Sequence, residues 1–248
     1  MNIFTFFSHD EITRVDSSAD IAVIFDVLRD STLITAAFKA GASKIIPVRE
    51  IDDAFKIANE IGLEKALICG AKDGQTIDGF DLGDSPQEFA PDKAKDKVIV
   101  CYSVNICNAI EILRNTPRVL FGCINNIQAI IDSIDIPSNI HLLCAGKLGN
   151  FAFEDAVCAG MFIRRIVDGY SGKIGLNDAS GTSEYLYNQH HRDITGMMMK
   201  SSYGDFLRKI GRESDIEFAA QIDCVNIAPE LSLNKDHILP MVVSDNSV

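Results

Sequence analysis

Four stretches of the chain concentrate side chains able to handle charge. The first is Asp26-Val27-Leu28-Arg29-Asp30-Ser31-Thr32. The second is Gly70-Ala71-Lys72-Asp73-Gly74, running on to Gly79-Phe80-Asp81-Leu82-Gly83-Asp84-Ser85-Pro86. Ser103-Val104-Asn105 is the third, and Ala145-Gly146-Lys147-Leu148-Gly149 followed by Glu154-Asp155 is the fourth. Magnesium takes hard oxygen ligands and is usually held by one or two carboxylates together with substrate oxygens. Asp26, Asp81, Glu154 and Asp155 are the candidate ligands. Arg29 can fork onto phosphate oxygens, and Lys72 can act as a point charge. Glycines let backbone N–H groups approach an anion closely. These residue types suit magnesium-assisted chemistry on a small anion. Each also has a structural use. Asp30 or Ser31 can cap a helix, Glu154-Asp155 can complement a helix dipole, and 79–86 can be a surface turn.

Other phosphoryl chemistries fit less well. Cys158-Ala159-Gly160-Met161-Phe162-Ile163-Arg164 has the Cys-x5-Arg spacing of a cysteine phosphatase. Such a site needs a polar, glycine-rich cradle of amides around the phosphate, and this interval is apolar and helical in pattern. Asp26 and Asp30 are too far apart for an Asp-x-Asp signature, and neither a Gly-x-Ser-x-Gly elbow nor a P-loop occurs. Cys107 has no histidine near it in sequence to activate it, so it reads as a packing residue.

Elements capable of holding the four stretches recur along the first two thirds. Ile21–Phe25, Ala66–Cys69, Lys97–Tyr102, Val119–Gly122 and Ile140–Cys144 are short apolar runs without alternation, the pattern of strands buried on both faces. Lys44–Val48 is a further strand, which Pro47 pushes toward a sheet edge. Helical stripes follow at 31–41, 51–61, 105–115, 125–134 and 152–168. Gly70–Phe89 reads as a long polar loop. Beyond 175 the chain reads as helical and more polar, with an exposed tail after Asp236. Strand–helix alternation predicts a three-layer α/β/α fold with a mainly parallel or mixed sheet, in one domain over 1–248. In such sheets ligands bind beyond the carboxyl ends of the strands, where all four charged stretches fall.

Composition sets the outer bounds. A chain of 248 residues hides roughly 70–75% of its unfolded surface and needs no disulfides to fold. Its seven cysteines form no CxxC pair and sit mostly in apolar runs, so they read as reduced and buried. A net charge of −12 argues against nucleic acid as a partner. No apolar run approaches a spanning helix and no signal peptide is visible, which predicts a cytoplasmic protein with no membrane partner. A homo-oligomer is compatible with the sequence.

Asp26-Val27-Leu28-Arg29, Gly79–Pro86, Asn125, Ala145-Gly146, Glu154-Asp155 and Cys158-Ala159-Gly160 resemble, in this order, the 2-phosphosulfolactate phosphatase family. That family is a magnesium-dependent group linked to coenzyme M synthesis. The likeness continues through Leu176-Asn177-Asp178-Ala179 and Ser183-Glu184-Tyr185-Leu186-Tyr187. Gly-Phe-Asp-Leu-Gly-Asp-Ser-Pro is its most specific piece. The resemblance implies an α/β/α fold and hydrolysis of a phosphate ester on a small anionic hydroxy acid, with Mg2+ as cofactor. Asp26, Arg29 and Asn105 are the catalytic candidates. Ser31, Lys72 and Ser85 are the substrate-binding candidates, and Asp26, Asp81, Glu154 and Asp155 the metal ligands. Two stretches depart from the family pattern. Gly70-Ala71-Lys72-Asp73-Gly74 stands where Gly-Glu-Arg-x-Gly is usual, and Val104-Asn105-Ile106-Cys107 stands where Thr-Asn-Gly-Thr is usual. These departures carry the alternative of a small-anion-binding relative that kept the fold and lost the reaction.

Overall fold

Five buried residues in a row, Ile21-Ala22-Val23-Ile24-Phe25, set the architecture. Val23 and Phe25 pack into one core with Val157, Phe162 and Ile166, while Ala22 and Ile24 pack into another with Leu33, Ile34 and Phe38. A strand whose alternate residues feed two cores lies in a sheet covered on both faces, the middle layer of a three-layer α/β/α fold.

The computed structural model describes residues 1–12, 19–147 and 149–243. Leu148, read above as part of the fourth stretch, and the last residues of the tail, 244–248, lie outside them. In chain order come β1 (Asn2–Phe6), α1 (His9–Ile12), β2 (Ile21–Phe25), α2 (Asp30–Lys39), β3 (Lys44–Val48), α3 (Ile51–Ile61) and β4 (Ala66–Cys69). The predicted polar loop contains a small hairpin, β5 (Ala71–Lys72) and β6 (Gln75–Thr76), and a 3-10 turn at Pro86–Glu88. Then follow α4 (Pro91–Ala94), β7 (Val98–Tyr102), α5 (Val104–Ile112), β8 (Arg118–Gly122), α6 (Ile127–Asp132), β9 (Ile140–Cys144) and α7 (Phe153–Gly169). The last third holds β10 (Gly175–Leu176), α8 (Asp178–His190), α9 (Ile194–Lys200), α10 (Ser202–Lys209), α11 (Glu213–Ala219), β11 (Ile227–Leu231) and β12 (Ile238–Val242). Among the described residues no helix is long and apolar enough to cross a membrane.

Among the described residues the main sheet has ten strands in the order β10-β1-β9-β2-β8-β11-β12-β3-β7-β4. Two parallel blocks, one ending at β8 and one beginning at β3, are joined by the antiparallel hairpin β11–β12. This placement corrects two expectations. The stretch after Asp236 is not simply an exposed tail, because Ile238 is fully buried and pairs with Ile45. Nor is β3 at an edge. It pairs with β7 along its whole length but meets β12 at Ile45 alone, so Pro47 lies beyond that second ladder. β1, also unforeseen, lies between β10 and β9.

Candidate active site

The carboxyl ends of β2, β4, β7 and β9 open onto one cavity of ≈ 340 Å³. Asp26, Arg29, Lys72, Asp84, Asn105 and Lys147 are among the residues lining it. Asp26 leaves β2 with its side chain buried. Its Oδ2 accepts from Asn105 Nδ2 at 3.3 Å, and its Oδ1 receives the Asp30 N–H at 3.4 Å. The same Asn105 amide donates to the Gly146 carbonyl at 2.6 Å, tying the start of α5 to the loop after β9. Gly146 has φ 63, and a Cβ there would collide with the Asn150 carbonyl, so the turn needs glycine. Ser103 caps α5 by accepting from the Ile106 N–H at 3.1 Å, and its hydroxyl makes a short bond to Asp30.

Charge in the cavity leans toward the acids. Burial, with Asp30 and Asp155 close by, raises the Asp26 carboxyl well above the usual carboxylate range. Burial also pushes Asp30 up to about 6, opposed by the Ser103 hydrogen bond. Asp84 is raised by burial, with Arg29 opposing. Arg29 does not offset this on its own. Its guanidinium is ion-paired with Asp84, and its Nη1 donates to Asp215 Oδ2 at 2.6 Å. Ser85 donates to the other Asp215 oxygen at 2.6 Å. Asp215 comes from α11, so the helical last third reaches back to latch the arginine.

The family model described as 2-phosphosulpholactate phosphatase matches residues 6–234. The chain belongs to that family. Its relatives include the probable 2-phosphosulfolactate phosphatase of Pseudothermotoga lettingae, 32% identical over 86% of this chain and 90% of the relative. The protein of the same name from Thermotoga petrophila is 32% identical over 85% and 88%. That from Caldanaerobacter subterraneus subsp. tengcongensis is 29% identical over 93% and 95%.

In this member of the 2-phosphosulpholactate phosphatase family, the residues singled out from sequence divide into two groups. Asp26, Arg29, Lys72 and Asn105 meet at the cavity. Ser31, Asp81, Ser85, Glu154 and Asp155 are not among its lining residues. Ser31 is fully buried inside α2, accepting from the Asp26 N–H at 3.1 Å, and it is Arg29 that occupies the N-cap position. Asp81 is exposed and accepts from the Ile68 N–H at 2.8 Å. Asp155 accepts from the Val27 and Gly146 N–H groups at 2.8 and 3.1 Å, fastening the ends of β2 and β9 together. Glu154 lines a neighbouring hollow. The four expected metal ligands therefore do not all converge on the cavity. Among the described residues no group of three or more His, Cys, Asp or Glu stands ready to hold a metal alone. Asp30, Asp84, Ser103, Lys147 and Tyr203 also line the cavity. Position after a strand singles out the first four of these, and nothing local marks Tyr203 or the latch residue Asp215.

Both departures reach the cavity. Lys72 and Val104 line the cavity, whereas Ile106 is buried in the core. Burial holds the Cys107 thiol up at about 11 and raises Cys158 well above its ordinary range, so neither is a ready thiolate. Cys107→Ser is expected to leave turnover at the wild-type level, and abolished turnover with unchanged melting would revive a covalent thiol mechanism.

In metal-free protein, Asp30 makes stability depend on pH. Its folded pKa of about 6 lies above its ordinary value of 3.8. A raised acid pKa means that ionisation opposes folding, so the cost is absent below about pH 4, grows through the interval and is complete above about pH 6. At 1.36 kcal/mol per unit the full cost is on the order of 3 kcal/mol. Asp30→Asn should melt higher than wild type at pH 7 and level with it near pH 4. A gap independent of pH would refute this role for Asp30.

Proposed function

We propose that this protein hydrolyses the phosphate ester of 2-phosphosulfolactate, or of a closely related small phosphorylated hydroxy acid, releasing inorganic phosphate. The observation that carries this reading is that the family match spans the residues whose side chains meet at the strand-end cavity, Asp26 and Asn105 foremost. Water attacks phosphorus, the ester opens at its P–O bond, and the alcohol oxygen leaves with a proton. Asp26, buried at the head of the cavity and held by Asn105, is the carboxylate placed to face the phosphoryl group, directly or through a cation. Asn105 holds Asp26 in place, its two amide hydrogens shared between that carboxylate and the Gly146 carbonyl. Lys72 supplies positive charge at the rim.

Asp26 and Asp30 fit magnesium by chemistry. They are hard oxygen donors, each raised by burial and with the Asp30 charge adding to the load on Asp26, a load that a cation relieves. Bound there, magnesium would neutralise phosphoryl charge and orient the substrate. The seven free cysteines favour a reducing, cytoplasmic setting, and coenzyme M synthesis is the route proposed from the family resemblance.

The test is phosphate release from 2-phosphosulfolactate with magnesium, compared with 2-phospholactate, which has a methyl group in place of the sulfonate-bearing carbon. Turnover should vanish with chelator and return with added magnesium, and magnesium should raise the melting temperature. A folded protein that releases no phosphate under any of these conditions would overturn the proposal.

A further inference from the structure

Lys147 stands in a wall shared by two hollows. One is the strand-end cavity, and the other, of ≈ 400 Å³, is lined by residues that include Phe151, Phe153, Glu154, Lys200 and Tyr203. Lys147 Nζ lies 3.9 Å from the centre of the Tyr203 ring and 4.8 Å from that of Phe206. Aromatic faces of this kind steady an ammonium group without cancelling its charge. Burial and the Arg29 charge oppose its protonated form, while Asp73, Glu154 and Asp84 attract it from further off. No carboxylate forms a direct ion pair with Lys147 among the described residues, whereas Arg29 is engaged by Asp84 and Asp215. Lys147 is thus a cation positioned between two compartments, with no direct counter-ion among the described residues.

The second hollow is suited to a particular kind of anion. Lys147 and Lys200 outnumber Glu154, whose carboxyl is raised by burial. Phe151 and Phe153 contribute two phenyl rings to the wall. A carboxylate, with its charge on two oxygens, is strongly hydrated and costly to bring against such a wall. A sulfonate spreads one charge over three oxygens, is the weaker base and gives up water more readily. The substrate of the proposed reaction carries its phosphate and its sulfonate on adjacent carbons, close enough to lie on either side of one lysine.

Resting on that reading of the reaction, we propose that Lys147 is a specificity-determining residue, which seats the substrate's sulfonate toward the Phe151–Phe153 hollow while the phosphate occupies the Asp26 side. The side chain is exposed and forms no ion pair among the described residues, so its replacement should leave the fold intact. Lys147→Met keeps the apolar stem and removes the charge. For 2-phosphosulfolactate it should raise KM about 10- to 100-fold, the size of one charge-assisted contact. KM for 2-phospholactate should move far less, because that compound has no sulfonate to lose. Lys147→Arg should retain most of the discrimination.

Calorimetry separates this inference from the reading beneath it. Wild-type protein should bind 3-sulfolactate more tightly than lactate, and Lys147→Met should erase the difference. Lys147-dependent binding of 3-sulfolactate by a protein without phosphatase activity would sink the reaction and keep the subsite. Hydrolysis with equal KM changes for both esters in Lys147→Met would sink the subsite and keep the reaction. Absence of 3-sulfolactate binding to the wild type would also overturn the subsite.

Discussion

Asp26→Asn is expected to lower turnover by about 10²- to 10³-fold, the usual worth of one group that stabilises charge at the reacting centre. The same change should not weaken the fold. Burial and the neighbouring carboxylates already raise the Asp26 pKa, so its ionised form opposes folding above the ordinary carboxylate range. Removing the charge removes that opposition. Turnover should collapse while the melting temperature of the metal-free protein at pH 7 stays level or rises, the pairing expected where function is kept at a cost in stability. Both are read on one purified variant. Full turnover would transfer the chemistry to Asp30, the next carboxylate in the same cavity.

The Arg29 latch predicts the opposite signature. Arg29 and Asp215 are 3% and 1% exposed, and breaking a buried pair typically costs about 3–5 kcal/mol, which Asp84, the second carboxylate on Arg29, offsets only in part. Asp215→Ala also leaves the Ser85 hydroxyl without its carboxylate. At roughly 2–4 °C per kcal/mol for a chain of this size, melting should fall by on the order of 10 °C. Arg29→Met combined with Asp215→Leu and Asp84→Asn, which leaves no member of the set charged, should recover much of that loss, since apolar or neutral groups often replace buried ion pairs without penalty. Activity should not return with stability if Arg29 shapes the cavity. A single Asp215→Ala variant that melts like wild type would dismiss the latch.

The contrast between these residues explains what can be read from sequence. Strands such as Ile21–Phe25 and Ile140–Cys144 announce themselves because burial on both faces demands continuous apolar runs. Their ends therefore locate Asp26, Asn105 and Gly146 at the correct edge of the sheet. The hairpin is hidden for the converse reason. Ile227–Leu231 and Ile238–Val242 each contain a proline, which ordinarily demotes a strand. Pro229 and Pro240 face each other in register, so both missing donors fall on one rung of the ladder. Side-chain partnership is harder still. Asp215 is 186 residues from Arg29, and no local pattern encodes that meeting. Within Gly79–Pro86, sequence favours Asp81 as the acid, yet the chain turns so that Asp84 reaches Arg29 while Asp81 secures the Ile68 N–H.

The hairpin between β8 and β3 also bears on how the protein is made. Ribosomes deliver the chain from its amino end, so the two parallel blocks emerge well before the strands that join them. Until β11 and β12 arrive, β8 and β3 each present an unpaired edge, the kind of surface that recruits strands from other chains. Long-range pairings of this sort also form slowly. The nascent protein is therefore most open to misassembly through the centre of its eventual sheet, and release of the final strands is the event that closes it.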